Sequence, residues 1–237
     1  MRPALLVIAM LIGGCGTVLP TYPSMGPRDA WPIVSQSASS IRAVLAEADT
    51  TLTGDDGTSV RLDVALVMAP PDRVRLRAWK VGHMVLDVTS DGGVVWIDAP
   101  EGPAGRSVVD TLGVAPADLV HGLLLIPGWP MGDKEPDDAE RRTDQYVYQM
   151  ASPWGQLICE VDVRTLVVRR WRINSETGGG HSLALSGHRL VGRVPWPDVA
   201  VLRDGPRSVR LRFRHVQLDE TPDDQVFEAP QGARRLP

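Results

Sequence analysis

A chain of 237 residues, 43% hydrophobic and 23% charged, has the balance of a folded globular domain and is long enough for one large β domain or two small ones. A net charge of −4 argues against any general attraction to nucleic acid or anionic lipid. With only two cysteines, no disulfide framework is expected to hold the fold.

The first residues read as a targeting segment. Arg2 supplies a positive end, and Ala4–Ile12 is an apolar run of nine residues. A bilayer span needs about twenty, whereas this run has the length of a secretory h-region. It ends in Leu11-Ile12-Gly13-Gly14-Cys15, which resembles the bacterial lipobox, with Ile12 where leucine is commoner. That resemblance implies a signal peptide over residues 1–14 and lipid attachment at Cys15, with enough acyl chains for stable anchoring, since one chain binds only marginally. The alternative is an ordinary signal peptide that contains a cysteine. Gly16 stands where an enterobacterial inner-membrane retention signal has aspartate, so the expected location is the outer membrane, facing the periplasm. Residues 15–34, with Pro20, Pro23, Pro27 and Pro32, read as a proline-rich tether, and residues 35–237 as the folded domain.

In Ser35–Leu52, Ile41, Val44, Leu45 and Ala48 fall at helical spacing and predict a first helix. Thr58–Ala99 then changes period. Val60, Leu62, Val64, Leu66 and Met68 alternate with polar residues, Pro70-Pro71 breaks the run, and Val74, Leu76 and Ala78 alternate with arginines. Met84, Leu86 and Val88 form a third run and Val94–Ile97 a fourth, which together predict an antiparallel meander with one oily face. Pro100–Arg106 is a loop. Ser107–Ile126 returns to helical spacing, with Pro116 and Asp118 at a helix start, so Ala117–Ile126 is expected to lie over the oily face. Met131–Thr143 reads as an exposed acidic loop. Strands are predicted over Gln145–Met150, Gly155–Val163, Leu166–Ile173, Ser182–Leu185, Val199–Leu202 and Ser208–Val216, with a glycine-rich loop at Glu176–Gly180. Cys159 reads as a small buried hydrophobe.

The expected fold is mainly β (α+β): a curved antiparallel sheet, or incomplete β-barrel, of about ten strands with helices covering its concave face. Pro71-Asp72-Arg73-Val74-Arg75-Leu76, followed by Asp91-Gly92 and Val95-Trp96-Ile97, resembles the core motif of the periplasmic lipoprotein carrier LolA and its outer-membrane partner LolB. Asp224-Gln225-Val226-Phe227-Glu228-Ala229-Pro230-Gln231-Gly232-Ala233 is similar to the close of such proteins. The resemblance implies a half-barrel whose apolar cavity holds acyl chains. A lipidated N-terminus points to the LolB side, or to mycobacterial-type lipid-carrying lipoproteins of the same fold. No arginine on the Arg73–Arg77 strand is marked out by spacing as a cargo hook.

Catalytic patterns are poor. His83, His121, His181, His188 and His215 are scattered, with no zinc spacing, and no G-x-S-x-G turn exists. Gly178-Gly179-Gly180 lacks the lysine of a phosphate loop, and Asp137-Asp138-Ala139-Glu140 lacks the spacing of a calcium loop. His215 continues the register of Val209, Leu211 and Phe213 and is expected at the core or cavity wall. Trp79, Trp96 and Trp171 are expected to line the interior, while Trp129, Trp154 and Trp196 neighbour prolines and pack turns.

The reading is therefore a lipid-binding and transport protein, not an enzyme, with no cofactor and no metal. Its expected ligand-binding residues are Leu62, Val64, Leu66, Leu76, Leu86, Val88, Leu119, Leu123, Leu124, Leu211 and Phe213, with arginines 75, 77, 210 and 212 outside. Expected partners are the membrane, through the lipid on Cys15, acyl chains of a lipid or lipoprotein cargo, and a periplasmic carrier protein. The alternative is a structural or assembly lipoprotein with a filled core that binds a protein partner. Labelling with an alkyne fatty acid should tag the protein, and Cys15→Ala should abolish the tag; equal labelling of the variant would contradict the assignment of Cys15.

Overall fold

The structure, a computed structural model, describes residues 18–99, 108, 111, 114–132, 134–174 and 180–236. The signal peptide, Cys15, the loop 100–106 and residues 176–179 of the glycine-rich loop lie outside the described residues.

Helix α1 spans Pro27–Ser39, with Pro27 in its first turn, where a missing N–H breaks no helical bond. It buries Ala30, Trp31, Val34 and Ala38, so the domain begins inside the segment read as a tether. Strand β1 follows at Val44–Thr53, which corrects the helix expected over Ser35–Leu52. The reason is tertiary pairing. Val44, Ala46, Ala48, Thr50 and Leu52 are buried, while residues between them are part-exposed or exposed, and strands pair with β1 on both sides. Period two therefore outweighs the helical coincidence of Ile41, Val44, Leu45 and Ala48.

The meander forms as expected: β2 (Ser59–Ala69), β3 (Arg73–Lys80), β4 (His83–Asp91) and β5 (Val94–Asp98) pair in order. Helix α2, Pro116–Leu125, comes next, then a 3₁₀ turn at Trp129–Met131. The second half contains β6 (Asp138–Arg141), β7 (Gln145–Ser152), β8 (Gly155–Asp162), β9 (Val168–Asn174) and β10 (Gly180–Ser186). A small hairpin of β11 (Arg189–Val191) and β12 (Val194–Trp196) leads to β13 (Val199–Asp204) and β14 (Arg207–Leu218). After a 3₁₀ turn at Asp224–Phe227, β15 is Arg234–Arg235.

One antiparallel sheet of 13 strands runs β15-β5-β4-β3-β2-β1-β14-β13-β10-β9-β8-β7-β6. Its edges, β15 and β6, do not pair with each other, so the curved sheet is not closed into a barrel. The strands of this sheet beyond the expected ten are β1, read as helix, β6, inside the segment read as an exposed loop, and the short edge β15; the β11–β12 hairpin stands apart from it.

His215 is exposed, against expectation. Pairing of β1 with β14 slips by one residue between Glu47 and Ala48, since Glu47 faces His215 while Ala48 faces Phe213. A bulge of this kind turns the following side chains to the other face. Val216 takes the inward place. Trp79 and Trp96 also differ from expectation: both are half-buried and pair with the outward residues Asp63 and Thr89, whereas Trp171 is fully buried.

The outer face of the meander carries a buried ion cluster. Asp87, 2% exposed, accepts hydrogen bonds from Arg75 Nε and Nη2 at 3.1 and 2.8 Å and from Arg77 Nε at 3.0 Å. Arg75 Nη1 also donates to the Val226 carbonyl at 2.8 Å, and Arg73 pairs with Asp224 while lying over the Phe227 ring. The two stretches that carry the family resemblance thus touch: the arginine strand clips the C-terminal segment to the sheet.

Removing Asp87 would leave Arg75, whose side chain is 11% exposed, as an uncompensated charge. Asp87→Ala should cost about 3–5 kcal/mol in urea unfolding. Arg77→Ala should cost no more than about 1 kcal/mol, because Arg77 is 45% exposed and solvent screens its half of the cluster. Equal costs would contradict this division.

Candidate functional site

Three cross-strand rows build the concave wall. Leu211, Thr50 and Leu62 form one, and Phe213, Ala48, Val64, Ala78 and Leu86 the next. Ala46, Leu66, Leu76, Val88 and Ile97 form the third. No charged side chain stands in these rows, and the alanines of β1 and β3 leave the middle of the wall low. The same alternation sends Arg61, Arg75, Arg77, Arg210 and Arg212 to the outer face, as expected for charges beside an apolar interior.

Helix α2 fills the hollow. Leu119, Val120, Gly122, Leu123, Leu124 and Leu125 are all buried, so the helix is enclosed on most of its circumference. It touches β3 and β5 on one side and β10 on the other. Gly122 makes the close approach: a Cβ there would lie 2.9 Å from both Leu202 methyl carbons.

The structure brings the whole sequence-predicted set together. Leu62, Val64, Leu66, Leu76, Leu86, Val88, Leu119, Leu123, Leu124, Leu211 and Phe213 belong to one continuous buried cluster, and none is more than 5% exposed. The expectation that several would face an open void is corrected by this packing, because α2 sits in the space. An apolar recess lies at the rim instead. It has a volume of about 370 Å³ and is lined by Ile41, Pro70, Pro71, Trp129, Pro130, Pro153 and Trp154, with Lys134 as its one charged residue. Trp129 is fixed by its Nε1 donating to the Ile41 carbonyl at 2.9 Å. From sequence Trp129 and Trp154 have only a turn-packing role, because no periodicity marks residues that meet from three separate turns.

Polar groups cluster where α2 meets the second half of the sheet. The His121 ring stacks on Trp154 at 4.3 Å, with the planes 20° apart. Asp118 lies 4.0 Å from His121 and 3.4 Å from His181, whose other ring nitrogen is 3.5 Å from Asp204. Burial pushes the His121 imidazole below its ordinary value, Asp118 pulls it back in part, and His181 lowers it further. A second, small cavity of about 50 Å³ lies between α1, the 3₁₀ turn at Trp129 and the β11–β12 hairpin, bordered by Val34, Met131, His188 and Trp196. His188 is likewise pushed down by burial.

Thr50 Oγ1, Trp171 Nε1 and Trp196 Nε1 are buried without a hydrogen-bond partner. Each such group costs about 1–3 kcal/mol unless a partner is supplied. Cys159 is fully buried, and burial raises its thiol well above the ordinary range, so it is an inert part of the wall. Among the described residues, no group of three or more histidine, cysteine, aspartate or glutamate side chains has the arrangement to hold a metal ion.

Comparison with solved structures places this architecture. A LolA superfamily protein from Nitrosomonas europaea superposes with a TM-score of 0.57 at 10% identity, over 86% of this chain and 98% of that one. A putative outer membrane lipoprotein-sorting protein domain from Vibrio parahaemolyticus gives 0.52 at 8% identity, over 85% and 95%. A DUF1329 family protein from Desulfovibrio piger gives 0.53 at 9% identity, over 86% and 98%. The chain has a LolA-like fold. By sequence, no family model and no curated protein matches it.

Proposed function

We propose that this protein is a lipid-anchored component of the bacterial envelope that binds acyl chains of a lipid or lipoprotein and takes part in their transport or outer-membrane localisation. It is a binding module, not an enzyme. Cys15 carries the anchor, the domain faces the periplasm, and a soluble carrier exchanges cargo with it. The observation that carries the reading is the way the concave wall is covered. A wall without charge is closed by one ten-residue apolar helix rather than by a second sheet. Among the described residues, the side-chain ion pairs of α2 with the sheet reduce to Asp118 with His181. Its buried residues are four leucines, Val120 and Gly122, whose apolar contacts acyl chains can replace in kind at about 0.8 kcal/mol per buried CH₂. In this reading the structure is the closed form, and uptake moves α2 out of the hollow. The unpartnered Trp171 N–H is then available to an ester carbonyl. The Vibrio structure, described as a lipoprotein-sorting domain, supports the same assignment.

One observation favours a second reading, a filled-core lipoprotein that binds a protein partner: none of the interior set exceeds 5% exposure. Binding of a fluorescent fatty acid to the unacylated chain (Cys15→Ser) separates the two. Leu123→Asp should weaken probe binding by about tenfold or more, because the charge would sit unpaired against the chain, while far-ultraviolet circular dichroism keeps its β signature. No saturable binding to the parent chain, or loss of the fold in the variant, would support the filled core.

A further inference from the structure

The outer face of the sheet holds a second recess, of about 730 Å³, whose lining includes Arg61, Lys80, Arg210 and Arg212 beside Trp79. Two carboxylates, Asp49 and Asp63, share it. Both are already taken: Arg214 Nη1 lies 3.0 Å from each. Arg214 is outward by the same alternation as Arg210 and Arg212, next along β14 from the Arg212 that faces Asp49, which itself pairs with Asp63. Among the described residues, Arg61, Lys80, Arg210 and Arg212 make no ion pair at all, although the chain as a whole carries −4. Net charge averages over this patch and conceals it.

The register fixes the spacing. Thr51 on β1 faces Arg61 on β2 and Arg210 on β14, so the two arginine-bearing strands stand about 10 Å apart across it. Arg212 lies one outward position along β14 from Arg210. Arginines from the two strands that flank β1 line a concavity that Thr51 and Trp79 also border. Such a fork of donors suits phosphate oxygens, which accept two parallel N–H bonds from one arginine. We propose that this recess binds the phosphate of an anionic lipid head group, at a site separate from the apolar interior and on the opposite face of the sheet. With an N-terminal anchor, it would lay the outer face of the sheet against an anionic leaflet.

The test is calorimetric titration of the purified full chain with short-chain dihexanoyl-phosphatidylglycerol, dihexanoyl-phosphatidylcholine and inorganic phosphate. Phosphatidylglycerol should bind saturably, more tightly than phosphatidylcholine, and more weakly as salt is raised. Arg61→Gln and Arg210→Gln should each weaken it about tenfold, the scale of one charge-assisted hydrogen-bond pair, with unchanged thermal melts. Equal binding of the two lipids, unchanged affinity in both arginine variants, or saturation by inorganic phosphate without preference for phosphatidylglycerol would overturn the proposal.

Discussion

Everything in this fold follows from an apolar sheet face that cannot cover itself. A sheet that closes into a barrel buries its inner wall and loses its edges. Here 13 strands curl, but β15 and β6 never meet, so the wall from Val44 to Phe213 needs another cover. Burial of apolar area contributes about 25 cal/mol per Å², and leaving this wall wet would outweigh the marginal stability of any domain of this size. Helix α2 meets the need with leucines on most of its circumference, and α1 does so over the second half of the sheet. Tyr146 and Tyr148 hold the approach to α1, their hydroxyls donating to the Met25 and Pro27 carbonyls at 2.6 and 2.7 Å. A cover made of helices differs from one made of strands in a way that matters for function. A helix satisfies its own backbone hydrogen bonds and can leave the wall without breaking a ladder.

The two faces of the sheet divide the chemistry. Inside, the wall of the first half is apolar apart from Thr50, and the second half adds Trp171, whose N–H is unpartnered, and Tyr146 and Tyr148, whose hydroxyls are bonded to carbonyls. Outside, arginines recur at alternate positions of β3 and β14. On β3 they are spent on structure: Arg73 and Arg75 fasten the C-terminal segment, and Arg75 and Arg77 share the buried Asp87. On β14, Arg207 pairs with Asp55 and Arg214 with Glu47, Asp49 and Asp63, whereas among the described residues Arg210 and Arg212 pair with no acid. One alternating pattern thus yields a structural clip at one place and an uncompensated patch at another. Which of these results depends on where the acids stand on neighbouring strands, a property of register and not of local sequence.

That dependence also explains how much was legible beforehand. The meander could be read because Leu62, Val64 and Leu66 alternate without interruption and Pro70-Pro71 and Gly92-Gly93 mark its turns. The inward set was legible for the same reason, since period two assigns a face to every residue once one is known. Strand β1 was misread because its inward residues include Ala46, Ala48 and Thr50, too small or polar to signal a strand, while Ile41 and Val44 mimic a helix. His215 was misplaced by a bulge that only the partner strand reveals. The rim recess and the His121–Trp154 stack join residues far apart in the chain and carry no periodic signal. The packing of α2 into the hollow was likewise beyond reach: amphipathic spacing says that a helix is covered, not how closely it fits what covers it.

The central claim is that the hollow now occupied by α2 also receives acyl chains. Native mass spectrometry of the protein, extracted gently from its own membranes, addresses this directly. The account predicts a population heavier than the lipidated chain by the mass of one lipid or acylated peptide, which dissociates on activation and is displaced by excess palmitate. A single mass that matches the lipidated chain alone, unchanged by added palmitate, would contradict it.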